Sequence, residues 1–296
     1  MERKHFLKFL AGAAIMTSLS GFRRFTADLT EQDTKMPVLF VGHGSPTNAI
    51  EDNEFTRRWK KLAKEIPVPK AVVIVSAHWL TRGTHITAMD FPKTIHDFGG
   101  FSKELFDVQY PAPGSPSLAK ETASLITLAN VGQDRDWGLD HGAWSVVKQM
   151  YPEANIPMLQ LSIDYYKPAQ YHYDLGKELS ALRKKGVLIL ASGNMVHNLG
   201  MIKIPSGDFK DINTEYGFDW AIEMNSLFKD KIANRDHKAL IKYQQLSKSA
   251  LLAVPSPDHY YPLLYALALQ DKKDEAVFFN DKAVAGSLTM TSVKFG

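Results

Sequence analysis

The sequence predicts an α/β fold: a single domain with a central, largely parallel sheet flanked by helices, and a metal site at the C-terminal rim of its strands. Three observations predict it. Apolar, β-branched runs recur as Val38-Leu-Phe-Val-Gly42, Val72-Val-Ile-Val-Ser-Ala77 and Val187-Leu-Ile-Leu190, and such unbroken runs suit strands buried on both faces. Amphipathic helical stretches separate them, which is the βαβ order of a parallel sheet. A histidine follows each run closely, as His43, His78 and His197, and the loops after the strands of an open α/β sheet are where ligands bind.

Bulk properties narrow the function. The 296 residues carry 35 Lys and Arg against 32 Asp and Glu, a net charge of +3. The two signs are interleaved with no basic stripe, so nucleic acid is excluded as a partner. The chain has no cysteine, which removes disulfides, thiolate metal sites and a cysteine nucleophile. Any metal must be held by His, Asp or Glu, and ten histidines are present.

Residues 1–27 read as an export signal. A charged start, Glu2-Arg-Lys-His5, leads into a short apolar segment, residues 9–20, too short for a stable membrane span. The order resembles a twin-arginine signal with Lys4 in place of the second arginine, which implies a periplasmic destination. The alternatives are an uncleaved amphipathic anchor and a cytoplasmic protein. Residues 28–35 are the expected linker and residues 36–296 the catalytic domain.

Within that domain the elements follow in order. The first strand ends at Gly42, and Gly42 and Gly44 around His43 let the backbone turn sharply. A helix over residues 53–66 places Phe55, Trp59, Leu62 and Ile66 on one face. The second strand, residues 71–77, leads to His78, and residues 84–89 alternate as a further short strand. Residues 90–116, rich in Gly, Pro and aromatics, predict a long loop acting as a lid or pocket wall. Its chemical groups are His96 and Asp97, the expected substrate contacts. A helix over 117–129 opens on Ser115-Pro116, and another runs from Asp140-His141 to Met150. A strand over 156–163, a helix over 168–185 and the strand ending at Leu190 precede Ser192-Gly193 and His197. A polar connection over 202–217, a helix over 218–232, His259 at the mouth of an apolar helix and a last strand over 285–295 complete the chain. His85 and His172 read as structural or surface residues, and His237 as solvated.

No GxSxG elbow, Walker loop or GxGxxG in strand–helix context occurs, so no organic cofactor is expected. What remains is a set of histidines at Gly- or Pro-broken element ends, which points to a metal.

Gly42-His-Gly-Ser-Pro46, Ser76-Ala-His-Trp79, Thr94-Ile-His-Asp-Phe-Gly-Gly-Phe101, Asp140-His-Gly-Ala-Trp144, Ser192-Gly-Asn-Met-Val-His-Asn198 and Pro257-Asp-His-Tyr260 occur in this order. Together they resemble the 4,5-DOPA extradiol dioxygenase family, a branch of the class III extradiol ring-cleavage dioxygenases. The resemblance covers the chain from about Met36 onward. It implies one divalent metal and cleavage of a catechol ring beside its diol by O2. It makes His43, His78 and His259 the implied ligands, with His259 where related enzymes use a carboxylate and Asp258 as its possible substitute. His197 is implied as the acid/base or a fourth ligand, and His141 as a group at the substrate's edge. Three ligands leave room on octahedral Fe(II) for a catechol and dioxygen, whereas four histidines would close a tetrahedral Zn(II) site. The alternatives are a zinc hydrolase or tetrapyrrole chelatase with the same histidines, and a non-catalytic exported metal-binding protein. The oligomeric state is not legible.

Overall fold

The computed structural model describes residues 29–32 and 35–296; the expected export signal lies outside the described residues, and the linker is described only in part. Among the described residues twelve strands occur: β1 Val38–Gly42, β2 Ala71–Thr81, β3 His85–Thr87, β4 Lys93–Thr94, β5 Gly132–Asp134, β6 Gly138–Leu139, β7 Met158–Asp164, β8 Val187–Gly193, β9 Ala276–Phe279, β10 Ala283–Val284, β11 Leu288–Thr289 and β12 Ser292–Phe295. Eight form one sheet in the order β5-β3-β7-β2-β8-β1-β12-β9. Its centre, β7-β2-β8-β1, is parallel throughout, while β12 and β9 pair antiparallel at one edge. The expected largely parallel α/β architecture is therefore present.

Alternation along each central strand divides the core in two. Val38 and Phe40, Val73 and Val75, Ile189 and Ala191 pack on one face with Leu175, Phe228 and Leu263. Leu39 and Val41, Val72 and Ile74, Leu188 and Leu190 pack on the other with Phe55, Trp59, Trp144 and Val147. Both faces are covered by helices, which is why the strand sequences carry no polar alternation.

Local chemistry sets the helix starts. Asn53 forms a capping box with Thr56 at the helix Glu54–Glu65. Ser115 caps Pro116–Leu125, with proline in its first turn. Asp140 caps His141–Met150 by accepting from Ala143 N–H at 3.0 Å.

Several boundaries differ from expectation. β2 continues through His78 to Thr81, and its pairing with β7 shifts register between Val75 and Leu80. A local irregularity thus turns His78 out at the rim while the chain stays in the sheet. The helix expected over 117–129 stops at Leu125, and that over 168–185 is divided at Leu179 into Ala169–Glu178 and Ser180–Lys184. The last strand is two, β11 and β12. His237 is half-buried rather than freely solvated: its ring lies between the Tyr173 hydroxyl at 2.9 Å and Gln270 Oε1 at 3.0 Å. The charged run around it hid a contact between helices distant in sequence. Among the described residues no helix is long and apolar enough to cross a membrane.

Candidate metal centre

Parallel register brings the histidines together. Gly42 pairs with Gly193, and Ser76 with Ser192, so β1, β2 and β8 end at one rim. His43 follows β1, His78 leaves β2 at its irregularity, and His259 arrives on the segment before the helix Tyr261–Ala268. That segment crosses the end of β8 so closely that Asn194 N–H donates to the His259 carbonyl at 3.0 Å. The crossing requires glycine: a Cβ on Gly193 would stand 2.2 Å from the His259 oxygen.

The rings of His43, His78 and His259 lie 4.9 to 5.2 Å apart, centroid to centroid. One ligand atom from each lies within 4.8 Å of the others. His43 Nε2 and His78 Nε2 face each other at 3.2 Å, the separation of two nitrogens that share one ion at about 2.1 Å with an angle of about 100°.

Hydrogen bonding behind the rings fixes their tautomers. The Ser192 hydroxyl donates to Gly142 O at 2.5 Å, so toward His43 Nδ1, 3.0 Å away, its oxygen accepts. His43 therefore carries its proton on Nδ1 and leaves the Nε2 lone pair free. His259 does the same by donating Nδ1–H to Asp258 Oδ2 at 2.5 Å. His78 Nδ1 lies 3.3 Å from Asp97 Oδ2. Lone pairs turned on one point repel unless a cation lies there, so the donor set fits a divalent metal. Burial, then neighbouring histidines, lowers the pKa of His43 and of His259 well below the usual range; burial also pushes His78 down to about 3 and His197 to about 4. Neutral imidazoles are what a metal requires.

His197 differs from the other three. Its ring stacks face to face on His259, with centroids 3.5 Å apart and planes within 6°. An imidazole binds an ion in the plane of its ring, and two parallel planes that far apart cannot hold one ion between them. As a fourth ligand, then, His197 is misplaced in this arrangement; it stands beside the triad, on the cavity wall. Two further groupings, His78–Asp97–His141 and His197–Asp258–His259, share a ligand with the triad. In each the carboxylate meets an Nδ1 atom, which makes it an orienting group.

The expected substrate contacts divide. Asp97 lines the cavity, but its oxygens are engaged: Oδ1 accepts from His141 N–H at 2.8 Å and lies 3.0 Å from His141 Nδ1, too poorly aligned for a second bond. Asp97 thus holds the His141 backbone and lies against the Nδ1 atoms of His78 and His141. His96 does not line the cavity; its Nε2 meets Val108 O at 3.0 Å and its ring packs near Phe98 and Trp144. His141 lines the cavity next to His78, their centroids 3.9 Å apart. Behind it Asp140 is fully buried, accepts from Ser76 Oγ and Gln160 Nε2 at 2.7 Å each, and is pushed up to about 6 chiefly by burial.

Above the triad is a cavity of about 280 Å³, walled by Phe98, Phe101, Leu199, Ile202, Phe209, Ile212 and Leu288. Phe98 and Phe101 come from the loop read as a pocket wall. Phe209 and Ile212 come from the stretch read as a polar connection, where apolar residues have no period to reveal them.

A family model described as the catalytic LigB subunit of aromatic ring-opening dioxygenase matches residues 36–295. The chain belongs to this family. Its relatives include proteins named 4,5-DOPA dioxygenase extradiol. That of Escherichia coli (strain K12) is 45% identical over 273 residues, 91% of this chain and 98% of the relative. That of Beta vulgaris is 33% identical over 270 residues, 89% and 98% of the two chains. A crystal structure of an uncharacterized protein from Escherichia coli K12 matches with a TM-score of 0.76 at 41% identity, covering 88% of this chain and 100% of that one. The chain is thus a ring-cleaving dioxygenase of the extradiol group. The dioxygenase's histidine triad, with Ser192, Asp258 and Asp97 behind it, is a cluster able to hold a metal.

Proposed function

We propose that this dioxygenase opens a catechol ring beside its diol with O2, using one divalent metal held by His43, His78 and His259. The observation that carries the reading is the convergence of these three histidines, two with Nε2 freed by bonds at Nδ1, on the floor of an aromatic cavity. Iron(II) held there would supply the redox chemistry that lets ring and dioxygen react. Zinc(II) would occupy the same set as a resting or substituted metal.

The chain's own groups bind and move protons. The aromatic and aliphatic wall admits a flat ring and excludes water around it. His197 makes no ring hydrogen bond among the described residues and opens on the cavity beside the His259 face. It takes a diol proton at a ring nitrogen and returns it as the ring opens. His141, positioned by Asp97, stands at the substrate's edge. A chelatase reading is disfavoured by the match to the ring-opening dioxygenase family over residues 36–295. Export through residues 1–27 belongs to this proposal and rests on the sequence; cell fractionation of the full chain tests it.

Anaerobic loading with Fe(II), followed by a catechol panel in an oxygen electrode, tests the function. Stoichiometric O2 uptake with a yellow ring-opened product is expected. Metal bound with no O2 consumed for any catechol would sink the proposal and favour a hydrolase or a metal-binding role.

A further inference from the structure

One buried carboxylate holds more than a helix start. Asp140 is fully buried before the helix His141–Met150, and capping that helix takes one bond, from Ala143 N–H to Oδ1 at 3.0 Å. Further bonds tie the residue to the sheet. Ser76 Oγ on β2 donates to Oδ1 at 2.7 Å. Gln160 on β7 pairs with it in both directions: Nε2 donates to Oδ2 at 2.7 Å, and Oε1 accepts from the Asp140 N–H at 2.8 Å. Every group that bonds this carboxylate is uncharged, so its burial is costly, and asparagine would cap the helix equally well. The turn it holds carries part of the site. His141 is the next residue, and Gly142 O accepts from Ser192 Oγ, the bond that leaves Ser192 to accept from His43 Nδ1. The same Ser76 Oγ accepts from His78 N–H at 3.3 Å. Clearance is narrow, since a Cβ on Gly142 would stand 2.6 Å from Ser76 Oγ and 2.8 Å from His78 Cδ2.

We infer that Asp140 is a positioning residue of the histidine centre: tied to β7 by Gln160 and to β2 by Ser76, it sets the turn that places His141 at the cavity and Gly142 O on Ser192, and so keeps the His43 proton on Nδ1. The inference rests on the proposed reading of His43 as a ligand and of His141 as a group at the substrate's edge. The tie is specific to a carboxylate facing an amide. In Asp140→Asn the cap survives on Oδ1, but the new NH2 faces the Gln160 NH2, donor against donor, and the turn must shift to separate them. Combining Asp140→Asn with Gln160→Glu restores an acceptor opposite each donor, because the new carboxylate accepts from both the side-chain NH2 and the backbone N–H of position 140. A misplacement of about 1 Å at a reacting group costs about 100-fold in rate.

The test has two readouts on the full chain. Nitrogen–proton NMR of the metal-free protein, labelled at histidine, reads which nitrogen of His43 carries the proton, the signal being assigned by its loss in His43→Gln. Oxygen uptake with Fe(II) and a catechol reads kcat and KM. Two single variants are compared: Asp140→Asn, and Gln160→Met, which leaves the carboxylate and the cap in place. In both, His43 is expected to lose its preference for Nδ1–H, and kcat to fall about 10- to 100-fold with KM little changed. The double variant Asp140→Asn with Gln160→Glu should recover both readouts. Urea unfolding runs beside them. Lost stability with the His43 tautomer and kcat unchanged would overturn the inference and leave Asp140 a helix cap. A double variant no better than Asp140→Asn would overturn it as well. Should Asp140→Asn fail to fold, Gln160→Met decides, and wild-type values for both readouts there would overturn the inference. If the wild-type protein consumes no O2 with any catechol, the proposed reaction fails, while the tautomer readout still decides the role of Asp140.

Discussion

Substituting Gly193 by alanine should disarm the metal centre without touching a ligand. An ideal Cβ at this position stands 2.2 Å from the His259 carbonyl oxygen, 3.1 Å from its carbon and 3.3 Å from Pro262 Cγ. Relaxed carbon–oxygen contact is about 3.3 Å, so the His259 backbone must retreat by about 1 Å. The same carbonyl accepts from Asn194 N–H at 3.0 Å, and that bond weakens with it. Overpacking of this kind costs about 1–3 kcal/mol, and the hydrogen bond about 1 kcal/mol more. Metal–ligand distances tolerate only about 0.2 Å, so the variant should hold the ion with two histidines. We expect metal affinity to fall about 100-fold or more and stability by roughly 2–4 kcal/mol. Competition against a chromophoric chelator reads the first, and urea unfolding of the metal-free protein the second. Gly99→Ala, whose Cβ would meet nothing within 4 Å, is the control. A Gly193→Ala protein that binds metal as tightly as this control would refute the reasoning.

Three further outcomes are expected. His197→Gln should retain metal and lose turnover by about 10²- to 10⁴-fold, whereas His259→Ala should lose metal first and His259→Glu recover part of it; metal analysis beside oxygen uptake distinguishes the roles, and the reverse pattern would exchange them. Asp258→Asn, which weakens the hold on His259 Nδ1, should lower metal affinity about 10- to 100-fold, and an unchanged chelator titration would remove its orienting role. His172 packs on Tyr261, bonds the Tyr265 hydroxyl at 3.0 Å and is pushed down to about 4, chiefly by burial. Its folded value lies below the unfolded value, so its neutral form stabilises the fold above about pH 6.5 and that contribution is lost as pH falls toward 4. The loss amounts to roughly 3 kcal/mol; urea unfolding at pH 7.5 and 4.5 should show it reduced in His172→Gln, and identical pH dependence in both proteins would contradict it.

The sheet was legible because its code is local. Val38 to Val41, Val72 to Val75 and Val187 to Leu190 are apolar without alternation, and only burial on both faces makes such strands. Parallel pairing then carries the residues after each strand to one rim, so His43, His78 and His197 were identifiable as neighbours before any coordinate. His259 was visible by resemblance and by its place at a helix mouth. What each group does was decided in three dimensions. Nothing within reach of His43 in sequence says that Ser192, on a different strand, gives its proton to Gly142 and so sets the His43 tautomer. The same holds for Asp97, whose oxygens are taken by His78 and His141 rather than left for substrate, and for His96, turned to Val108. His197 shares its motif with the strand end, yet its stack on His259 sets it apart from the ligands. Strand propensity and strand-end position are properties of short segments and survive in the sequence. Ring-plane angles, tautomers and the sub-ångström clearance at Gly193 depend on segments about 50 to 150 residues apart meeting at fixed distances, and only the packed fold determines those.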